Sequence, residues 1–101
     1  MEIPNEIKSK YPRKSRMKFP NGEIVWVKVP DAVFVEDHNE EREYWKGFEL
    51  VDWGDGRELR CMYWTRKRCI QKWEYGQFTP IVSIDKLRRL ITMIDQKGWF
   101  D

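Results

Sequence analysis

Residues 57–66, RELRCMYWTR, constrain the fold more than any other part of the chain. Their side chains alternate with period two. Leu59, Cys61, Tyr63 and Thr65 fall on one face, and Arg60, Met62, Trp64 and Arg66 on the other. Helical geometry would mix these two sets, so the segment reads as a strand. It is the most regular part of a longer band, residues 45–78, in which aromatic and basic residues are interleaved. Residues 43–53 read as the preceding strand, with Gly47 a candidate bulge, and Gly54-Asp55-Gly56 as the turn between the two. Residues 71–78 read as a further strand, ended by Thr79-Pro80, with Trp73, Tyr75 and Gln77 on one face.

Upstream, Asn21-Gly22 predicts a type I′ hairpin turn. The incoming strand carries Pro20 and should lie at an edge. On the outgoing strand, residues 24–29, Ile24, Trp26 and Lys28 point one way and Val25, Val27 and Val29 the other; the valine face is the core candidate. Pro30 and Asp31 break that strand. Residues 32–35 form either another strand or a helical turn, and residues 36–42 an acidic loop or exposed turn. Residues 1–16, with Pro4, Pro12 and a run of Lys and Arg, read as a basic, loosely ordered arm or a solubilising tail. Residues 17–101 form a single domain.

Ser83 is a suitable N-cap for a helix over residues 84–97, and Gly98 a natural residue to follow it. Ile84, Leu87, Leu90, Ile91 and Ile94 make one apolar stripe on that helix. Trp99-Phe100 either folds back or serves a partner. The fold class is therefore α+β: an antiparallel sheet of about four to six strands with one C-terminal amphipathic helix packed on one face. Leu59, Cys61 and Tyr63 are expected under the helix, and Arg60, Met62, Trp64 and Arg66 outside.

Bulk charge says little about partners, because 19 basic residues against 17 acidic ones leave a net charge of only +2. Its distribution says more. Residues 8–18 hold six basic side chains and no acid, residues 31–43 six acids against Arg42 alone, and residues 57–72 six basics against Glu58. Segregation of this kind creates local fields. The chain also has six Trp, rings that are large to bury and costly to expose. Rings interleaved with cations suit a single-stranded nucleic acid, whose bases stack and whose phosphates need positive charge.

Catalytic chemistry is poorly supplied. The one histidine, His38, lies in the acidic stretch, and Cys61 falls on an apolar strand face. Cys69 has Lys67 and Arg68 beside it but no partner base. Two Cys and one His fall short of a zinc site, and no phosphate loop is present. No enzyme activity, metal or cofactor is expected. Apolar runs are too short for a membrane span, and no signal-peptide pattern is evident. Two isolated Cys suit free thiols in a reducing, cytoplasmic setting.

The order of elements resembles that of the transcriptional coactivator family called positive cofactor four, and its Whirly-like relatives, over roughly residues 44–97. The similar features are Phe48-Glu-Leu-Val-Asp-Trp-Gly-Asp-Gly56, the charged strand 57–66 and Ile81-Val-Ser-Ile-Asp-Lys-Leu87. Gln77-Phe-Thr-Pro80 replaces the family's Lys-Gly pair before the helix, and the hairpin 17–29 has no counterpart. The resemblance implies a curved sheet, a homodimer through the C-terminal helix and single-stranded DNA across the sheet.

The expected function is thus non-enzymatic binding of single-stranded nucleic acid, DNA ahead of RNA. Trp53, Trp64 and Trp73 would stack bases; Arg60, Arg66, Lys67, Arg68 and Lys72 would hold phosphates. The alternative is a small protein-interaction module using the acidic stretch 31–43 or Trp99-Phe100.

Overall fold

The computed structural model describes residues 2–76 and 81–101. A short helix α1 (Asn5–Lys8) precedes five strands, β1 (Arg13–Lys18), β2 (Ile24–Glu36), β3 (Arg42–Asp52), β4 (Arg57–Lys67) and β5 (Glu74–Gly76), and helix α2 (Ile84–Gln96) closes the chain. The strands form one antiparallel meander in the order β1-β2-β3-β4-β5. The fold is α+β, as the period-two and helical patterns predict.

The β1–β2 turn differs from expectation. Gly22 N–H donates to the Phe19 carbonyl at 2.9 Å, and Phe19 N–H donates to the Glu23 carbonyl at 2.8 Å. Gly22 has φ +88°, while Asn21 does not have positive φ. A type I′ turn needs positive φ at both central residues, so this is a longer loop with Pro20 inside it. Asn21 instead accepts the Glu23 N–H on its side-chain oxygen at 2.9 Å.

Strand β2 does not stop at Pro30. The pairing with β3 shifts between Lys28 and Asp31 and then continues to Glu36, so a bulge accommodates the proline that cannot donate to the ladder. Gly47 sits opposite Phe34 with no shift in register. A Cβ there would lie 1.8 Å from the Val33 carbonyl oxygen, so the glycine serves close backbone approach and not a bulge. Only Glu74–Gly76 of the expected last strand is a strand among the described residues; its end at 77–78 and the Thr79-Pro80 bend lie outside them.

The sheet curls strongly. Arg60 of β4 donates to Ser15 of β1 at 3.0 Å, and the Arg13 guanidinium of β1 lies 4.5 Å from the Tyr75 ring centre of β5. In a flat sheet, β1 and β4 would stand about 14 Å apart, beyond such contacts. The curl encloses two apolar clusters. Ile7, Ala32, Trp45, Met62, Trp64 and Trp73 form one, and Val27, Val29 and Val51 the other. Ile7 brings α1 into the first cluster, and Tyr11 packs against both. Residues 2–16 are therefore docked, not a loose arm, and β1 already begins at Arg13.

Helix α2 covers the opposite face, where Leu90 and Ile94 pack on Val33 and Val35, with Phe48, Met93 and Trp99 around them. Ser83 caps it, its Oγ accepting the Lys86 N–H at 3.2 Å, and Gly98 at φ +74° lets the chain turn back so that Trp99 packs inward. The apolar stripe splits: Leu90 and Ile94 are buried, while Ile84, Leu87 and Ile91 face outward. Leu59 is also exposed, so the helix sits over β2 and β3 and not over the expected Leu59, Cys61 and Tyr63.

Candidate nucleic-acid interface

The inward face of β4 is the one expected to meet a ligand. Alternation is as predicted, but the assignment of outside and inside is reversed. Trp64 and Trp73 are each only 6 % exposed and Met62 is fully buried. Arg60 points into the curl, where it meets Glu49, whose exposure is 0 %. Arg60 donates to Glu49 Oε1 from Nε at 3.0 Å and from Nη2 at 2.7 Å. Arg13 and the Tyr11 hydroxyl donate to Oε2 at 2.9 and 2.6 Å, and the Tyr75 hydroxyl donates to Oε1. Trp64 Nε1 donates in turn to the Tyr11 hydroxyl at 3.1 Å. Burial first, then the Glu49 charge, pushes the Tyr11 phenol up; burial and its hydrogen bond to Glu49 do the same to Tyr75. Both phenols stay protonated and serve as donors. Arg60 and Trp64 are thus committed to a buried polar network, which satisfies a charge that would otherwise be costly to bury.

The other expected residues divide. Trp53 is half-buried, with its ring 6.4 Å from that of Phe19. Arg66 donates to Glu43 at 2.7 Å and stacks over Trp73 at 4.3 Å, so it too is engaged. Lys67, Arg68 and Lys72 are exposed near the β4–β5 connection. Arg68 donates to the Asn39 carbonyl at 2.9 Å. These cations lack an exposed ring among the residues named for stacking.

A different surface brings rings and cations together in the open. On the outer face of the β1–β2 hairpin, Lys18 pairs with Ile24, Arg16 with Trp26, and Lys14 with Lys28. All six side chains are exposed, and Trp26 is 65 % exposed. None of the four cations makes an ion pair among the described residues. Successive members of one strand on this face stand about 6.8 Å apart. Strand alternation separates Trp26 from the valine core in the sequence. Basic residues at 14, 16 and 18 repeat with the same period, but no local signal in the sequence sets them opposite Lys28, Trp26 and Ile24.

The acidic stretch is largely used within the fold. Asp37 accepts from Lys46 at 2.7 Å and from Lys86 at 2.9 Å; these hydrogen bonds hold its carboxyl below its ordinary range. Glu36 pairs with Arg89, Asp31 with Lys97 and Glu43 with Arg66. His38 Nδ1 accepts the Tyr44 N–H at 3.0 Å, and burial lowers its pKa. Phe100 is exposed, whereas Trp99 is packed. Among the described residues, no three His, Cys, Asp or Glu side chains converge as a metal site, and no helix is long and apolar enough to cross a membrane. No family model, no curated protein and no solved structure matches the chain.

Proposed function

We propose that this chain binds single-stranded nucleic acid, without catalysing a reaction on it, through the outer face of the β1–β2 hairpin. One observation carries the reading: Trp26, 65 % exposed, lies among Lys14, Arg16, Lys18 and Lys28, four cations with no carboxylate partner among the described residues. An open indole offers a base a stacking platform, worth roughly 1–3 kcal/mol, and the cations offer a salt-dependent hold on phosphates. The sequence resemblance to the positive cofactor four family favours DNA over RNA. The test is fluorescence anisotropy of a labelled mixed-sequence single strand at two salt concentrations, with wild type and Trp26→Ala. Binding at low salt that weakens with salt and with loss of Trp26 supports the reading. No binding at low salt, or binding only to anionic vesicles, refutes it.

A second property rests on α2. Ile84 (79 % exposed), Leu87 and Ile91 form an uncovered apolar stripe. Stripes of this kind mark association surfaces. Two copies crossing antiparallel at Leu87 would set Ile84 of each against Ile91 of the other, the self-complementary arrangement of a two-fold dimer. Sedimentation should then give a dimer, and Leu87→Glu a folded monomer.

A further inference from the structure

The cationic row on the hairpin runs into a cleft of about 390 Å³, lined by Pro12, Arg13, Lys14, Lys28, Val29, Pro30 and Asp52. Pro12 and Pro30 both line this cleft, and both are exposed, as are Trp26 and Lys28. Trp26 and Lys28 stand about 6.8 Å apart along β2, a spacing suited to successive nucleotides of an extended strand, and Pro30 follows at the bulge. Pro12 and Pro30 offer apolar walls for a flat ring, and Lys14 and Lys28 line the same cleft, as a phosphate-binding path requires.

Among the described residues, Asp52 is the one carboxylate lining this cleft. It lies directly across from Lys28 in the β2–β3 register. Its Oδ1 accepts the Gly54 N–H at 2.8 Å, and its Oδ2 meets no donor among the described residues. A carboxylate lowers affinity for phosphate unless it makes a contact of its own with the ligand. Being an acceptor only, it can receive a hydrogen bond from the amino group of adenine, cytosine or guanine. Thymine and uracil offer only an N3–H, flanked by two carbonyl oxygens that repel the carboxylate.

We propose that the cleft holds one nucleobase and that Asp52 selects a base bearing an exocyclic amino group, disfavouring thymine and uracil. The proposal rests on reading the hairpin face as a single-strand site. A simpler role for Asp52 is to cap the Gly54 turn alone, and the experiment separates the two. Twelve-nucleotide oligo(dC) and oligo(dT) are titrated at one salt concentration against wild type, Asp52→Asn and Trp26→Ala. Wild type should bind oligo(dC) about tenfold to 150-fold more tightly, the range expected of one hydrogen bond to a charged group. Asp52→Asn keeps the Oδ1 acceptor for Gly54 but removes the charge. It should bring the ratio near one, with overall affinity equal or higher. Trp26→Ala should weaken both strands alike and leave the ratio standing. A wild-type ratio near one, or a ratio unchanged in Asp52→Asn, overturns base selection while leaving the hairpin site intact. Failure of wild type to bind either strand overturns both.

Discussion

Glu49 and Arg60 face each other across β3 and β4, with Arg60 Nη2 2.7 Å from Glu49 Oε1, inside a curl where the carboxylate has no exposure. Arg13 reaches the same carboxylate from β1, and Tyr75 reaches it from β5. One side chain of β3 therefore ties together β1, β4 and β5, of which β1 is a sheet neighbour of neither other. This network bridges the curl and engages Arg60 and Trp64 in contacts within the fold.

Replacing Glu49 with alanine should be severe. It leaves two largely buried guanidinium groups without a counter-charge, a change that costs about 3–5 kcal/mol when one member of a buried pair is lost. Domains of this size hold only about 5–15 kcal/mol in all. Urea unfolding should show a large fall in midpoint for Glu49→Ala. A midpoint near wild type would mean that the arginines find other partners or water.

Trp64→Ala and Trp26→Ala should separate stability from binding. Trp64 lies in the enclosed cluster, and its truncation should cost about 3–5 kcal/mol. Trp26 is outside the core, so its truncation should stay within about 0.5 kcal/mol of wild type while weakening single-strand binding roughly fivefold to 100-fold. Thermal melts and oligonucleotide titrations of the same two proteins check this. Equal destabilisation by both would contradict the inside–outside assignment.

Much of this architecture is legible in local pattern. The alternation in 57–66 marks β4, Ser83 and Gly98 bracket α2, and the valines at 25, 27 and 29 mark the inner face of β2. The direction of each face is not local information. Arg60, Met62, Trp64 and Arg66 look like a wet face, because an arginine in sequence does not reveal that Glu49 will lie opposite it. Curling decides the matter, and it depends on contacts between β1 and β4 that are 45 residues apart. Helix α2 misleads for a related reason: Ile84, Leu87, Leu90, Ile91 and Ile94 span a stripe wider than the part of the sheet beneath it, so Ile84, Leu87 and Ile91 are left uncovered.

Acid should loosen α2 first. Asp37 bridges Lys46 of β3 and Lys86 of α2, Lys46 also donates to the Ile81 carbonyl at 2.8 Å, and Glu36 binds Arg89. Hydrogen bonds to these cations hold both carboxyl groups below their ordinary values. A carboxylate whose folded pKa is lowered contributes stability that is full above its unfolded pKa, about 4, and is lost as pH falls through the lower folded value. Stability measured by urea unfolding should therefore hold at pH 6 and decline below about pH 4. Asp37→Asn should be less stable at pH 6 and show a shallower acid decline. An unchanged decline would remove Asp37 from the explanation.

Salt dependence can locate the nucleic-acid track. Each phosphate neutralised on a single strand contributes about −0.7 to the slope of log affinity against log salt. If Lys14 and Lys28 each hold one phosphate, changing both to glutamine should flatten the slope by about 1.4. Lys67 and Lys72 are also exposed, but they lie by the β4–β5 connection, whereas the Lys14–Lys28 pair lies on the β1–β2 hairpin. Changing those two to glutamine should leave the slope nearly unaltered. The four lysines have similar charge and freedom, so their general electrostatic effect is comparable and only position differs. A flattening caused by the Lys67–Lys72 pair and absent from the Lys14–Lys28 pair would move the track to the β4–β5 connection, where the interleaved aromatic and basic sequence first suggests it.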